Sequence, residues 1–476
     1  MSDTSTLAVQ RISRLLDENS FMEIGASVTA RGTDFNLTAK RAPSDGVVAG
    51  HGTIDGNLVF VYSQDSSVLN GTIGEMHARK IAHIYDMAVK MGAPVIGILD
   101  SGGIRLQEGC DALSGLGKIY RKMGVSSGII PQIAVVMGPC GGGLSVISAL
   151  SDFTFVEKEK GKLFLNSPDA VEGNNVSKCD MASADFAAKE TGNVDLIGTE
   201  EEIFTAVRSL IPMLPDNNAG KQVEVTTGDD LNRVCNSMEA GKGDAAYLLS
   251  EIADDHVFFE TKKDFAPMMV TAFIRINGST VGVVANATEQ TDAEGNKTEF
   301  EAVLTTKGVK KAAEFVNFCD AFEIPVLTLV NTKGFCRCSC AQKNLAKAMG
   351  GLVSAYTNAT VPKVTLYIGD AVGSAGVVMG SKELGTDLVY AWKNSKISLM
   401  EGSLAAKIMY EGESADVINE KAKEYDKLQG SVESAAARGY VDLVLEPEET
   451  RKYVAAAFEM LYTKQLEAPY KKHGAK

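Results

Sequence analysis

The sequence predicts an α/β protein made of two copies of one largely parallel, helix-covered sheet. Three observations carry this. Strand-like apolar segments of the first half recur in the second at one shared offset, each is closed by a polar turn with glycine, and helical periodicity fills the intervals between them. A chain of 476 residues has room for two or three domains, each able to bury a core.

The repeat can be followed along the chain. TIDGNLVFV (Thr53 to Val61) is echoed by RINGSTVGVV (Arg275 to Val284), a hairpin-like turn followed by a strand pattern in each. APVIGILDSGGIR (Ala93 to Arg105) matches IPVLTLVNTKGFCR (Ile324 to Arg337), and IPQIAVVMGPCGGGLS (Ile130 to Ser145) matches VPKVTLYIGDAVGSAG (Val361 to Gly376). Pro94 to Pro325, Pro131 to Pro362 and Gly138 to Gly369 are each separated by 231 positions. One offset across separate segments marks a duplicated domain.

Between the strands, Ile81, Ile84, Tyr85, Ala88 and Met91 recur at helix spacing and leave Arg79, Lys80, His83 and Lys90 among the polar positions. Strand, turn, helix, strand is the grammar of a parallel, helix-covered sheet. Pro, Gly, Asn and Asp cluster in PDNNAGKQVEVTTGDD (Pro215 to Asp230), which places a boundary there and gives domains 1–222 and 223–476.

Composition narrows the partners. The chain is 45% hydrophobic and 23% charged with a formal charge of -14, an ordinary globular balance whose excess carboxylate argues against nucleic-acid binding. No stretch approaches the ~20 apolar residues of a membrane span, and MSDTSTLAVQRISRLL lacks the pattern of a signal peptide. The chain therefore reads as cytoplasmic. Of eight cysteines, five are scattered singly; Cys336, Cys338 and Cys340 alternate. Zinc sites usually add a second ligand pair, and no histidine lies nearby in sequence, so these three read as reduced loop thiols and no metal is expected.

The glycine turns are the candidate chemistry. Under the shared offset Gly142 falls on Gly373 and Gly143 on Ser374, each before a segment with helical pattern: Leu144, Val146, Ile147 and Leu150, then Val377, Val378 and Met379. Such a turn aims backbone N–H groups and the positive end of a helix dipole at an anion. Neither stretch has the lysine of a Walker loop, and VGSAG keeps only part of a dinucleotide fingerprint. Two readings remain: an oxyanion hole, or glycines that let a helix pack closely on a strand. None of the five histidines forms a HExxH-like pair and no GxSxG elbow occurs, which suits enolate chemistry with the base supplied by substrate or cofactor.

At this point the residues match a known family. RISRLLDENSFMEIG (Arg11 to Gly25), SQDSSVLNGTIGEMHARKI (Ser63 to Ile81), DSGGIRLQEG (Asp100 to Gly109), the two glycine turns and AARGYVDLVLEPEETR (Ala436 to Arg451) cover the chain almost end to end. Together they resemble the carboxyltransferase subunits of biotin-dependent acyl-CoA carboxylases and sodium-pumping acyl-CoA decarboxylases, of the crotonase superfamily.

The resemblance implies tandem duplicated crotonase-like (ββα superhelix) domains, with domain 1–222 on the acyl-CoA side and domain 223–476 on the biotin side. It implies a homo-hexamer, a trimer of dimers, with active sites at dimer interfaces. Backbone N–H groups of Gly142 and Gly143 would hold the thioester enolate, and those of Ser374 and Ala375 the biotin ureido oxygen. Carboxybiotin would release CO2, the biotin nitrogen would take the α proton, and the enolate would attack the CO2. Gly373 and Val377 join the biotin pocket; Lys80, Gly102, Gly103 and Arg105 join the coenzyme A side, where Lys80 and Arg105 could instead order a loop. Biotin would arrive on a separate biotin carboxyl carrier protein, because the AMKM-like AVKM places Lys90 in an amphipathic helix rather than on a hairpin. A biotin carboxylase subunit, or membrane sodium-pump subunits that would hold the chain at the inner face of the membrane, complete the implied partners.

Three departures stand out. TKGFCRCSCAQKNLAKAMGG (Thr332 to Gly351) replaces a PGF-type loop, Val377 stands where propionyl-CoA enzymes carry an acidic residue, and no four-cysteine zinc ribbon precedes the first domain. Two alternatives remain open: another crotonase-type hydratase or hydrolase, with Glu108 as its only obvious carboxylate beside a glycine turn, and a non-catalytic scaffold.

Overall fold

Two hairpin turns begin the two sheets. Asp55 and Gly56 take φ of 48° and 80°, and Asn277 and Gly278 take 53° and 75°, the left-handed pair that a two-residue hairpin loop requires and that Asp, Asn and Gly tolerate. Each turn is locked by one carboxylate. Asp17 accepts the N–H groups of Asp55 and Gly56, both at 3.0 Å, and Asp254 accepts those of Asn277 and Gly278 at 3.2 and 2.7 Å. An arginine holds each carboxylate: Arg208 donates to Asp17 and to the Leu15 carbonyl, and Arg451 to Asp254 and the Ile252 carbonyl.

The computed structural model describes residues 6–32, 35, 42, 44–174, 179–220, 225–292 and 294–466. The chain divides into two units, Met1–Gln222 and Val223–Lys476. In the first, helix α1 (Leu7–Leu15) precedes β1 (Met22–Glu23), β2 (Val47–Ile54), β3 (Asn57–Gln64), β4 (Val95–Leu99), β5 (Gln132–Val136), β6 (Phe153–Glu157) and β7 (Leu196–Gly198), adjacent in that order. The first three strands are antiparallel and the rest parallel. The crossovers are α2 (Glu75–Met91), α3 (Gly109–Ser126) and α4 (Gly143–Leu150), and α5 (Glu200–Leu210) follows β7. All residues of β4 and β5 are buried, which explains their unbroken apolar runs.

The second unit repeats this plan. After α6 (Ala245–Ile252) come β8 (Phe258–Thr261), β9 (Met269–Ile276), β10 (Ser279–Asn286), β11 (Val326–Thr332), β12 (Lys363–Val372), β13 (Leu388–Trp392) and β14 (Leu443–Leu445), again adjacent in chain order. Crossovers α7 (Thr306–Ala321), α8 (Ser339–Asn358) and α9 (Gly373–Val378) correspond to α2, α3 and α4. Helices α10 (Gly402–Met409), α11 (Ala415–Gln429) and α12 (Val432–Ala437) precede β14, and α13 (Thr450–Leu461) follows it.

Polar pins recur at matching positions. The Asp100 N–H donates to Gln64 Oε1 and the Asn331 N–H to Asn286 Oδ1, both at 3.1 Å. The N–H groups that open β5 and β12, at Gln132 and Lys363, donate to Asp152 and Asp387, both at 2.8 Å. The strand-end glycines lie against the first pair, since a Cβ on Gly138 would stand 2.2 Å from Asp100 Oδ1 and one on Gly369 2.5 Å from Asn331 Oδ1.

Helix α2 departs from its sequence reading at two positions. Met91, counted on the apolar stripe, is exposed, and Lys80, counted among the polar positions, is only 6% exposed. The Lys80 ammonium donates to the carbonyls of Val47 (2.6 Å) and Ser44 (3.3 Å) and to the Ser44 hydroxyl. Lys311 in α7 does the same towards the carbonyls of Lys262 and Phe265, at 2.8 and 2.9 Å. Periodicity assigns a lysine to solvent; here loop carbonyls replace the water, although burial still pulls the Lys80 ammonium down to about 8.

Three outcomes follow. Arg451→Met strands the buried Asp254 and costs about 3–5 kcal/mol, whereas Arg208→Met, whose side chain is 30% exposed, costs about 1 kcal/mol or less; denaturant titration by circular dichroism ranks the two. Gly138→Ala lowers the melting temperature, because Asp100 is pinned by Arg11 at 2.8 Å and cannot swing aside. Asp17 is held well below the usual carboxylate range, chiefly by the Gly56 amide and then by Arg208 and Thr53. Its stabilisation is present above the ordinary aspartate value of about 4 and is lost as pH falls below that towards the folded value, so Asp17→Asn flattens the acid limb of a stability-against-pH curve.

Candidate active site

Each glycine of the GGG run has its own reason. Pro139–Gly141 forms a short strand paired in parallel with Lys162–Phe164, and a Cβ on Gly141 would lie 2.5 Å from the Phe164 ring. Gly142 takes φ 60° and ψ -131°, a conformation L side chains rarely adopt. Gly143 opens α4 under α3, where a Cβ would stand 2.8 Å from Leu116 and 2.9 Å from Tyr120 Oη. Close packing and a special turn therefore coexist.

The turn in the second unit is its counterpart. Asp370, Ala371 and Val372 at the end of β12 pair in parallel with strand Lys396–Ser398, and Gly373, the first residue of α9, takes φ 63°. The shared offset thus aligns the two left-handed glycines, Gly142 with Gly373.

The Gly142 N–H donates to the Phe164 carbonyl at 2.9 Å, a bond that holds the turn. Gly143 and Leu144 are the first two helical positions, where an α-helix supplies no intrahelical acceptor. They match Ser374 and Ala375 at the same offset, in the first turn of α9. Of the pair the sequence names, Gly142 makes the bend and Gly143 opens the helix that follows it.

The DSGG loop is occupied by its own bonds. The Gly102 N–H donates to the Asn70 carbonyl at 2.8 Å, and the Gly103 N–H to Ser101 Oγ at 3.2 Å. Arg105 is 1% exposed; it pairs with Asp45, with Glu108 at 2.8 Å and with the Thr72 carbonyl at 2.7 Å. Those carboxylates in turn accept the N–H groups of His77 (2.7 Å) and Glu75 (2.5 Å) in the first turn of α2. Lys80, Gly102, Gly103 and Arg105 each donate to groups of neighbouring loops, the loop-ordering arrangement that the sequence leaves open for Lys80 and Arg105. Glu108 is held in the same way, between the Arg105 guanidinium and the Glu75 N–H.

Sequence reading passed over His77 and Gln64. His77 Nδ1 lies 3.0 Å from the Asp45 carbonyl, so Nδ1 donates and Nε2 accepts from the Gln64 amide at 3.2 Å. Burial pushes this imidazole down to about 3, so it stays neutral. The relay from Asp45 through His77 and Gln64 to the Asp100 N–H fixes the loop beside Gly138. A buried histidine in a helix gave no motif to find.

The second unit supplies a cavity of about 590 Å³, lined at one end by Gly373, Ser374 and Val377 and elsewhere by Tyr367, Arg438 and Tyr440. Val377 is 45% exposed. Ser381 also faces this cavity, and its buried hydroxyl has no hydrogen-bond partner. The cavity walls combine apolar side chains with a few polar and charged groups, Ser374, Glu383 and Arg438 among them. Among the described residues, no group of three or more His, Cys, Asp or Glu side chains is placed to hold a metal ion, and no helix is long and apolar enough to cross a membrane.

Comparison with known proteins adds a family to this geometry. The family model described as the carboxyl transferase domain matches residues 2–475. The propionyl-CoA carboxylase beta chain of Roseobacter denitrificans is 39% identical over 480 residues, covering 98% of this chain and 92% of the relative. The methylmalonyl-CoA decarboxylase subunit alpha of Propionigenium modestum is 36% identical over 491 residues, again covering 98% and 92%. A solved structure of transcarboxylase 12S, a hexamer with hydrolysed methylmalonyl-coenzyme A bound, aligns with a TM-score of 0.90 at 35% identity, covering 98% of this chain and 92% of that one. With the duplicated sheets described above, these findings give the fold as tandem crotonase-like domains, and the chain belongs to the carboxyl transferase domain family.

Proposed function

We propose that the chain transfers a carboxyl group between carrier-borne biotin and the α carbon of a short acyl-CoA, as the carboxyltransferase subunit of a carboxylase or decarboxylase complex. The observation that carries this reading is the pair of left-handed glycines, Gly142 and Gly373, each delivering the chain into a helix amino terminus. Two carbonyl groups gain negative charge in such a transfer, and two sets of fixed N–H donors serve them.

The first unit takes the acyl-CoA. N–H groups of Gly143 and Leu144 stand at the start of α4, where the helix dipole favours the enolate oxygen of the thioester. The second unit takes the biotin ring in the cavity beside Val377, with N–H groups of Ser374 and Ala375 on the ureido oxygen. When bound, biotin supplies the carboxyl carrier and the nitrogen that exchanges the α proton, which is why the protein needs no side-chain base. The chain's own residues orient the two carbonyls and fix the donors. A biotin carboxyl carrier protein and either a biotin carboxylase or membrane sodium-pump subunits complete the assembly, around a homo-hexamer of this chain.

Incubating the purified protein with free biotin and malonyl-, methylmalonyl- or glutaconyl-CoA yields biotin-dependent CO2 release from one of them, read as labelled CO2. Biotin-independent turnover, or hydration of an enoyl-CoA instead, overturns the reading. Ser374→Ala retains activity because the donor is backbone, whereas Ser374→Pro, which deletes that N–H at a first-turn position, lowers kcat by about 10²–10³. Equal loss in both variants would assign the role to the hydroxyl.

A further inference from the structure

The three alternating cysteines lie where β11 gives way to α8. Strand Gly334–Phe335 pairs with Val303–Leu304, and the Cys336 N–H donates to the Leu304 carbonyl at 2.9 Å, so the backbone of Cys336 is anchored. Cys338 is the N-cap of α8, and its sulfur accepts the Ala341 N–H at 3.3 Å. It also accepts the Cys336 thiol at 3.4 Å and lies 2.7 Å from the Cys340 sulfur. Two donors and a neighbouring sulfur thus converge on one sulfur at a helix amino terminus, the environment that favours a thiolate.

We infer that Cys338 and Cys340 form a reversible dithiol–disulfide couple that small hydroperoxides oxidise, with Cys338 as the attacking thiolate and Cys340 as the resolving thiol. The hydrogen bond from Cys340, followed by the Ala341 amide, holds the Cys338 thiol down at about 7, and the same contact raises Cys340. Both residues are exposed. Three other thiols are poorer candidates: Cys140, Cys235 and Cys319 are buried, and burial pushes all three up, Cys140 to about 12.

The chemistry balances with the hydroperoxide as oxidant. The Cys338 thiolate attacks the terminal peroxide oxygen, the O–O bond breaks, and the alkoxide leaves and takes a proton as the alcohol. Cys340 sulfur then attacks the Cys338 sulfenic acid; the S–S bond forms, the S–O bond breaks, and hydroxide leaves with the Cys340 proton as water. A disulfide needs sulfurs about 2.05 Å apart, a small closure from the present contact.

Trypsin cleaves after Lys333, Arg337 and Lys343, which isolates Cys336 in GFCR and leaves Cys338 and Cys340 together in CSCAQK. The reduced full-length chain, treated with stoichiometric cumene hydroperoxide, yields CSCAQK lighter by two hydrogens, and dithiothreitol restores it. Cys338→Ser, which keeps an N-cap, slows thiol loss about tenfold or more, while Cys336→Ser closes the bond as the parent does. An unchanged CSCAQK, a GFCR–CSCAQK cross-link as sole product, equal oxidation at Cys110, or undiminished thiol loss in Cys338→Ser overturns the assignment.

Discussion

One backbone constraint governs the site: the residue that carries the chain from a buried parallel strand into a short helix must take φ near +60°, at Gly142 and at Gly373. A side chain at either position is strained whatever space surrounds it. The bend aims the start of α4 and of α9 outward from the carboxyl end of the sheet, where successive N–H groups have no intrahelical acceptor. Movement of either bend moves the donors with it. The Gly142 N–H is itself consumed in holding the bend, through the Phe164 carbonyl at 2.9 Å.

The rest of each unit immobilises that bend. Strand ends are pinned by side chains that accept main-chain N–H groups, Gln64 and Asn286 at one level and Asp152 and Asp387 at another. Gly138 and Gly369 then press against the residues so fixed. In the first unit the pinning reaches the amino end of α2, where Arg105, Asp45 and Glu108 form a buried charge cluster and a neutral His77 connects it to Gln64. Such clusters are costly to desolvate and cannot be half satisfied, so their effect is to specify one loop arrangement.

Much of this was legible in the sequence because duplication writes a pattern twice. The prolines and Gly138 fix the 231-residue offset, and that offset aligns the two left-handed glycines, the two hairpin turns following their own echo. What stayed hidden were interactions distant in sequence. For Lys80 and Arg105 the sequence leaves phosphate contact and loop ordering both open; only the fold brings loop carbonyls and carboxylates to them. Glycine identity marks where the backbone bends; that the Gly142 N–H meets the Phe164 carbonyl is visible only in the fold. The cysteine loop reads in sequence as reduced thiols without a metal, and the approach of its sulfurs is visible only in the fold, where Cys338 caps α8.

The central claim, that fixed N–H groups after the bend hold the thioester oxygen, is tested most directly by a crystal structure of the chain with a non-hydrolysable malonyl-CoA analogue. The account predicts the thioester oxygen about 2.7–3.1 Å from the Gly143 nitrogen, with the bond from Gly142 to the Phe164 carbonyl intact. A thioester oxygen held by Gly142 after that bond has broken, or bound away from the start of α4, would contradict it.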